Sequence, residues 1–282
     1  MRKLGLLLLA CVVLGAQDAP PAAVAPVVPA APPVLENTGK PMVASFHCTE
    51  EDIRSAGLGC SEQDPCPVYL ELAAVEATGL RIFAAGNIHA ATATLYTVLL
   101  GSDDNGQTWR EVYERVRGAG LDHIQFADVE TGWTSGLSFG PLPQDPFLLM
   151  TTDGGRTWRS HEIFNEPRFG SIQQFYFEDR KSGSLVIDHG RGSSGDRYEL
   201  FETNDGGETW NIRETSVKSI RIKRAPAAPD ADWRVRADSA TKSFHLEHRQ
   251  GQKWTSLAAF DRGNVGADRD RGAEFNGFGF AG

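Results

Sequence analysis

Long apolar runs, surplus positive charge and cysteine are all scarce in this chain of 282 residues. Its longest apolar stretch, Leu4 to Gly15 in MRKLGLLLLACVVLGAQDAP, is too short to span a bilayer. Lys and Arg number 28 against 37 Asp and Glu, a net charge of −9, and they form no block. That argues against nucleic acid as a partner, because phosphate binding needs clustered cations. Four cysteines at irregular spacing do not make a zinc site. A phosphate loop is missing too, since HGRGSSGD at 189–196 lacks the Lys-Ser/Thr step. So is a G-x-S-x-G nucleophile turn. No segment keeps helical periodicity over three turns. The sequence gives no reason to expect a cofactor or a metal.

What is present begins with a leader. Arg2 and Lys3 precede the apolar run, and cleavage after Ala16 makes residues 1–16 a signal peptide, although Leu14 is bulky for such a site. A rival reading takes Leu8-Leu9-Ala10-Cys11 as a lipoprotein box with a lipid anchor at Cys11. Either way the protein is expected in the periplasm or outside the cell. Residues 17–40, rich in Pro and Ala, read as an extended spacer. The 41–67 segment holds Cys48, Cys60 and Cys66. In an oxidising compartment these imply one disulfide and one leftover thiol, with the pairing open.

The body of the chain repeats itself. SDDNGQTW (102–109), TTDGGRTW (151–158) and TNDGGETW (203–210) share one pattern: Ser or Thr, any, Asp, any, Gly, any, Thr, Trp. Their Trp residues are 49 and 52 positions apart, and RQGQKW, ending at Trp254, is a degenerate fourth copy 44 further on. A second landmark keeps step: Thr78-Gly79, Thr131-Gly132 and Ser182-Gly183, with Asp232 filling the place in the fourth unit. Between landmarks lie short runs rich in β-branched and aromatic residues. Four antiparallel strands per unit of about 50 residues is the signature of a β-propeller blade. The expected architecture is therefore all-β, with blades near 70–113, 120–164, 171–215 and 219–258 and a propeller over 68–260. Residues 41–67 and 261–282 could add strands to a composite fifth blade, the latter otherwise being a polar Gly-rich tail. Four blades, five blades or an open crescent all fit the sequence.

In this reading each box is the turn between the third and fourth strands of a blade. Gly106, Gly155 and Gly207 allow backbone angles that other residues resist. Asp104, Asp153 and Asp205 fold back onto the turn, with Ser102, Thr151 and Thr203 before them and Thr108, Thr157 and Thr209 after. Trp109, Trp158 and Trp210 cap the blade core. The role assigned to all of them is structural.

These boxes resemble the Asp-box, or bacterial neuraminidase, repeat of sialidases, sortilin-type receptors, some glycoside hydrolases and propellers similar to the photosystem II assembly and stability factor. FADVETGWTSG with its downstream box is most similar to the last group. The resemblance covers roughly Val68 to Phe260 and implies a propeller; it implies little about activity. The arginine triad and Tyr–Glu pair of sialidases cannot be assembled here, and no opposed carboxylate pair stands out. The resemblance thus implies a non-catalytic binding propeller for a protein partner or for envelope-complex assembly. A glycan-binding module or carbohydrate-active enzyme is the alternative.

His245-Leu246-Glu247-His248 reads as a solvated strand, not a metal site, because its two imidazoles would alternate in direction. For a binding surface the sequence points to the face opposite the boxes. The longer loops fall there, at 86–94, 114–122, 136–146, 165–171 and 188–197. Arg117 and Arg168 each precede a strand Phe (Phe126, Phe177) by nine residues. With His89, His189 and Arg191 they would make a positive centre suited to a protein or glycan bearing acidic groups.

Overall fold

The computed structural model describes residues 32–46, 48–61, 64–139, 143–164, 169–193, 195–222 and 232–263. The leader 1–16 with Cys11, most of the 17–40 spacer, Arg168 and the tail beyond 263 lie outside the described residues. The spacer ends earlier than its composition suggests. β1 (Leu35–Glu36) pairs antiparallel with the first Asp-box strand, Leu35 opposite Trp109. A short helix, α1 (Glu50–Ser55), follows, with Thr49 and Asp52 forming a reciprocal capping box. Cys60 and Cys66 are disulfide-bonded with Cα atoms 5.2 Å apart, and Cys48 is free.

Three four-stranded antiparallel sheets come next. The first is β2 (Val68–Thr78), β3 (Arg81–Ala90), β4 (Thr94–Ser102) and β5 (Thr108–Glu111), with β1 added at its outer edge. The second is β6 (Ala119–Phe126), β7 (Gly132–Phe139), β8 (Pro143–Thr151) and β9 (Arg159–Glu162). The third is β10 (Ser171–Phe177), β11 (Gly183–Gly192), β12 (Gly195–Thr203) and β13 (Asn211–Ser216). A fourth sheet has three strands among the described residues: β14 (Trp233–Asp238), β15 (Ser243–Gln250) and β16 (Lys253–Asp261). The fold is an all-β propeller type, as the repeat implies. Among the described residues the fourth sheet begins at Trp233, and residues 217–222 enter no strand ladder.

Each box does what its residue types allow. Asp104 Oδ1 accepts from the Thr108 amide at 2.9 Å and Oδ2 from the Thr108 hydroxyl at 2.7 Å. Ser102 Oγ accepts from the Gly106 amide at 2.8 Å. Asp153 with Thr157, and Asp205 with Thr209, repeat the pattern at 2.6–2.9 Å. Gly106 and Gly155 have φ of +84° and +80°, and a Cβ on Gly155 would lie 2.3 Å from the Phe83 ring. Each box is also latched to the first turn of its own sheet. Asn105 N donates to Leu80 O at 3.1 Å, Gly154 N to Glu130 O at 2.7 Å and Gly206 N to Lys181 O at 2.8 Å. Both kinds of short turn therefore share one end of each of these three sheets.

Aromatic rings join neighbouring sheets. Trp158 meets Phe83 of the first sheet and Phe126 of its own edge-on, at 5.8 and 5.9 Å. Trp133 stacks on Phe177 of the third sheet at 3.6 Å, and Trp109 meets Phe260 of the fourth at 5.3 Å. Three buried clusters link the sheets in the order fourth, first, second, third. Among the described residues no buried apolar cluster joins the third sheet to the fourth.

The fourth sheet is oriented by its ends. Arg249 N donates to Asp232 O, so the β15–β16 turn lies beside the start of β14. At the other end Leu70, near the start of β2, donates to Arg262 O, and Arg262 N donates to Lys242 O. The RQGQKW turn thus shares the box end, as its partial match to the repeat suggests, though it lacks the Asp carboxylate. β14, β15 and β16 run as the second, third and fourth strands do in the other sheets.

Trp158→Ala is expected to cost about 3–5 kcal/mol, as truncation of a packed aromatic does, read as a shift of the denaturant midpoint. Trp158→Phe should cost less than Trp109→Phe. The Trp109 indole N–H bonds to Gly106 O at 3.1 Å, whereas that of Trp158 is buried without an acceptor. An unmoved midpoint for Trp158→Ala would end the packing role. For the cysteines, alkylation without reduction should label Cys48 and leave Cys60 and Cys66 unmodified. Labelling should quicken from pH 7 to pH 9, because burial and then the Asp52 carboxylate push the Cys48 thiol up. Label on Cys60 or Cys66 would refute the bridge.

Candidate functional site: a cleft at the box end

Among the residues expected to make a positive loop face, Arg117 and His189 are engaged by local partners. The Arg117 guanidinium pairs with Glu51 and with Asp52, 3.3 Å away, and bonds to the Tyr96 hydroxyl at 2.9 Å. Tyr96 in turn donates to Asp52 at 2.6 Å. Arg117 thus clamps α1 over the first sheet. The Tyr96 and Thr49 bonds hold the Asp52 carboxyl low against the opposing effect of its burial. His89 is half-buried, beside Tyr69, with its imidazole held in the neutral form by burial. His189 lies against Glu199 (2.9 Å) and the Phe169 carbonyl (2.7 Å), and Arg197 binds the other Glu199 oxygen. Arg191 is exposed at the end of β11. Arg117 and His189 belong to separate clusters in the first and third sheets.

The box residues are equally occupied. The Thr108 amide and hydroxyl hold Asp104 down to about 2, and the Thr209 hydroxyl leads the same effect at Asp205. At Asp153 burial pulls upward and is outweighed by Thr157 and Thr151, again giving about 2. Carboxylates so fully bonded are poor bases and poor cation ligands. His245 lies between Ser243 and Ser256, at 3.1 and 2.9 Å. Among the described residues no group of three or more His, Cys, Asp or Glu is placed to hold a metal ion.

An open cavity of about 410 Å³ lies instead at the box end, between the first and fourth sheets. Its walls include Gly79 and Asn105 from the two short turns of the first sheet, and Trp233, His248, Gln250 and Thr255 from the fourth. The Trp233 indole is stacked on the His248 ring at 4.4 Å and 23°, which fixes an aromatic surface in place. None of the lining residues is Asp, Glu, Lys or Arg. Charge stands nearby: Arg234 lies 4.1 Å above the Trp254 ring, and Arg249 pairs with Asp232. Leu80 and Val129, in the first turns of the first and second sheets, are 70% and 65% exposed on this end. Sequence reasoning passed over these residues. Trp233 beside a degenerate box was the readable signal, since an aromatic there has no third-sheet counterpart.

No family model matches the sequence, and no curated protein matches it. Among solved structures, YCF48 bound to D1 peptide is similar over 71% of this chain and 58% of that one, at 18% identity and a TM-score of 0.37. An α-L-arabinanase of Penicillium chrysogenum complexed with arabinobiose is similar over 67% and 60%, at 14% identity and a TM-score of 0.38. A GH74 xyloglucanase of Xanthomonas campestris is similar over 48% and 19%, at 19% identity and a TM-score of 0.35. The chain thus spans less than two thirds of each of these proteins.

One half-buried carboxyl, on β2 of the first sheet, is raised. Glu76 stands opposite Phe83 in the β2–β3 ladder, as Gln125 stands opposite Trp133 in the next sheet. Burial pushes Glu76 up to about 7, against a bond from the Ala77 amide. The folded state therefore holds its proton above the unfolded value, and stability should fall as pH rises from about 4.5 to about 7, by up to about 3 kcal/mol. The box carboxylates act oppositely: their contribution is complete above about pH 4 and is lost towards pH 2. Melting temperature should peak near pH 5, and Glu76→Gln should flatten the neutral limb alone. A limb unchanged in Glu76→Gln would assign it to another group.

Proposed function

We propose that this protein is a non-catalytic binding propeller, exported to the periplasm or beyond, which docks a partner at the cleft between its first and fourth sheets. The observation that carries the reading is the cleft itself: a fixed indole ringed by amide and hydroxyl groups, without the opposed carboxylates that glycoside hydrolysis needs. The disulfide fits an oxidising compartment, and no helix among the described residues is long and apolar enough to cross a membrane. Attachment through Cys11 is the variant form of the same reading. The partner favoured is a protein segment bearing acidic groups, as in envelope-complex assembly. Residues 232–263 hold six Arg and Lys against four Asp and Glu in a chain of net charge −9, so the fourth sheet is a basic region on an acidic protein. Attraction to that region steers an acidic segment towards the cleft. A second reading, a glycan module, is favoured by the uncharged lining, since indole faces and amides suit neutral sugar rings.

Arrays of acidic peptides and of neutral oligosaccharides test both. Trp233→Ala should weaken the bound probe at least 10-fold. An acidic peptide should also bind less tightly with added salt and with Arg249→Glu/Lys253→Glu. A neutral sugar that is indifferent to salt would support the glycan reading. Binding that survives Trp233→Ala but fails in Arg191→Ala would overturn the cleft and restore the opposite face.

A further inference from the structure

Among the described residues the fourth sheet has no inner strand, and a nearby segment has the properties of one. In the first three sheets an inner strand, β2, β6 or β10, precedes the other three. β14, β15 and β16 have the directions of those other three. Among the described residues β14 pairs only with β15, so its inner edge presents unpaired backbone groups. Such edges invite another strand. We propose that Ser219–Ile222 is the inner strand of the fourth sheet, and that it closes the ring by pairing with the free edge of β14.

Three observations support the assignment. The first is position. Gln125, on the inner strand of the second sheet, reaches across to the third and bonds Phe177 N and O at 2.9 and 2.8 Å. Gln174, on the inner strand of the third sheet, reaches out in the same way, donating to Ile220 O and accepting from Ile222 N, both at 3.4 Å. Ser219 adds a bond to Gln173 at 3.0 Å. Residues 220–222 thus stand beside the third sheet where the next inner strand belongs. The second is pattern. Ile220 and Ile222 are half-buried, while Ser219 and Arg221 are exposed, the period-two alternation of a strand with one covered face. The third is economy of contact. The third and fourth sheets are the pair without a shared buried cluster among the described residues, and a strand held by Gln174 on one side and β14 on the other joins them. Closure would remove the open edge and give the inner side of the cleft a wall. The inference is independent of the ligand proposed for that cleft.

Residue-resolved amide hydrogen exchange on the full chain tests it. In β14 every second amide faces away from β15. Those amides should exchange as slowly as the ones bonded to β15. Ile222→Pro, which removes a donor and disfavours the strand, should speed them at least 10-fold while β6, β7 and β8 keep their protection. Gln174→Ala, which only releases the clasp, should act in the same direction more weakly. The synthetic peptide SVKSIRIK, the sequence of residues 216–223, should restore slow exchange to the Ile222→Pro protein. Loop-like exchange of the outward β14 amides in the intact chain would overturn the proposal. So would protection that persists in both variants, which would assign the edge to another occupant such as a second copy or a bound partner strand.

Discussion

Everything else in this fold depends on the grip of one carboxylate on its own turn. In each box an Asp accepts from the backbone amide and hydroxyl of the same Thr, while the preceding Ser or Thr caps a glycine amide. This fixes the turn tightly enough for its backbone to latch onto the other short turn of the sheet. The Trp that follows is then delivered to a fixed place, where it meets rings of its own sheet and of the neighbour. Polar bonds shape each turn, and apolar rings, with a few cross-sheet bonds such as Gln125 to Phe177, attach sheet to sheet. Hydrogen bonds supply direction; the buried area supplies most of the cohesion.

That division explains what was legible in the sequence. The boxes and their companion turns are set by local chemistry, so their spacing exposed the blade repeat, strand order and shared end without any long-range information. Even RQGQKW, without its Asp, kept the right place. The site was harder to read. Arg117 looked like an available cation because its partners, Glu51 and Asp52, lie on a helix far away in sequence. The Thr49–Asp52 capping box was a legible helix start that went unused. The cleft depends on two sheets meeting across the 143 positions from Asn105 to His248, a contact that periodicity does not encode. Asn105 in particular reads as a turn residue, which it is, and also lines the cleft.

Electrostatics divide the molecule along similar lines. Acidic side chains dominate overall, yet many are spent on turns, and the fourth sheet gathers arginines around the buried Glu247, which binds both Arg234 and Arg236. Burial alone would raise the Glu247 carboxyl; the two guanidinium groups reverse that and keep it low. The region nearest the cleft is therefore basic and internally cross-linked at once.

The latch between each box and its own first turn has a consequence for ancestry. A unit copied whole brings its turns, its carboxylate grip and its latch with it. What must match is the flank, its rings together with the few bonds that cross it, and a flank that fits one sibling fits the next. Tandem duplication or loss of a unit is therefore a small step for this architecture.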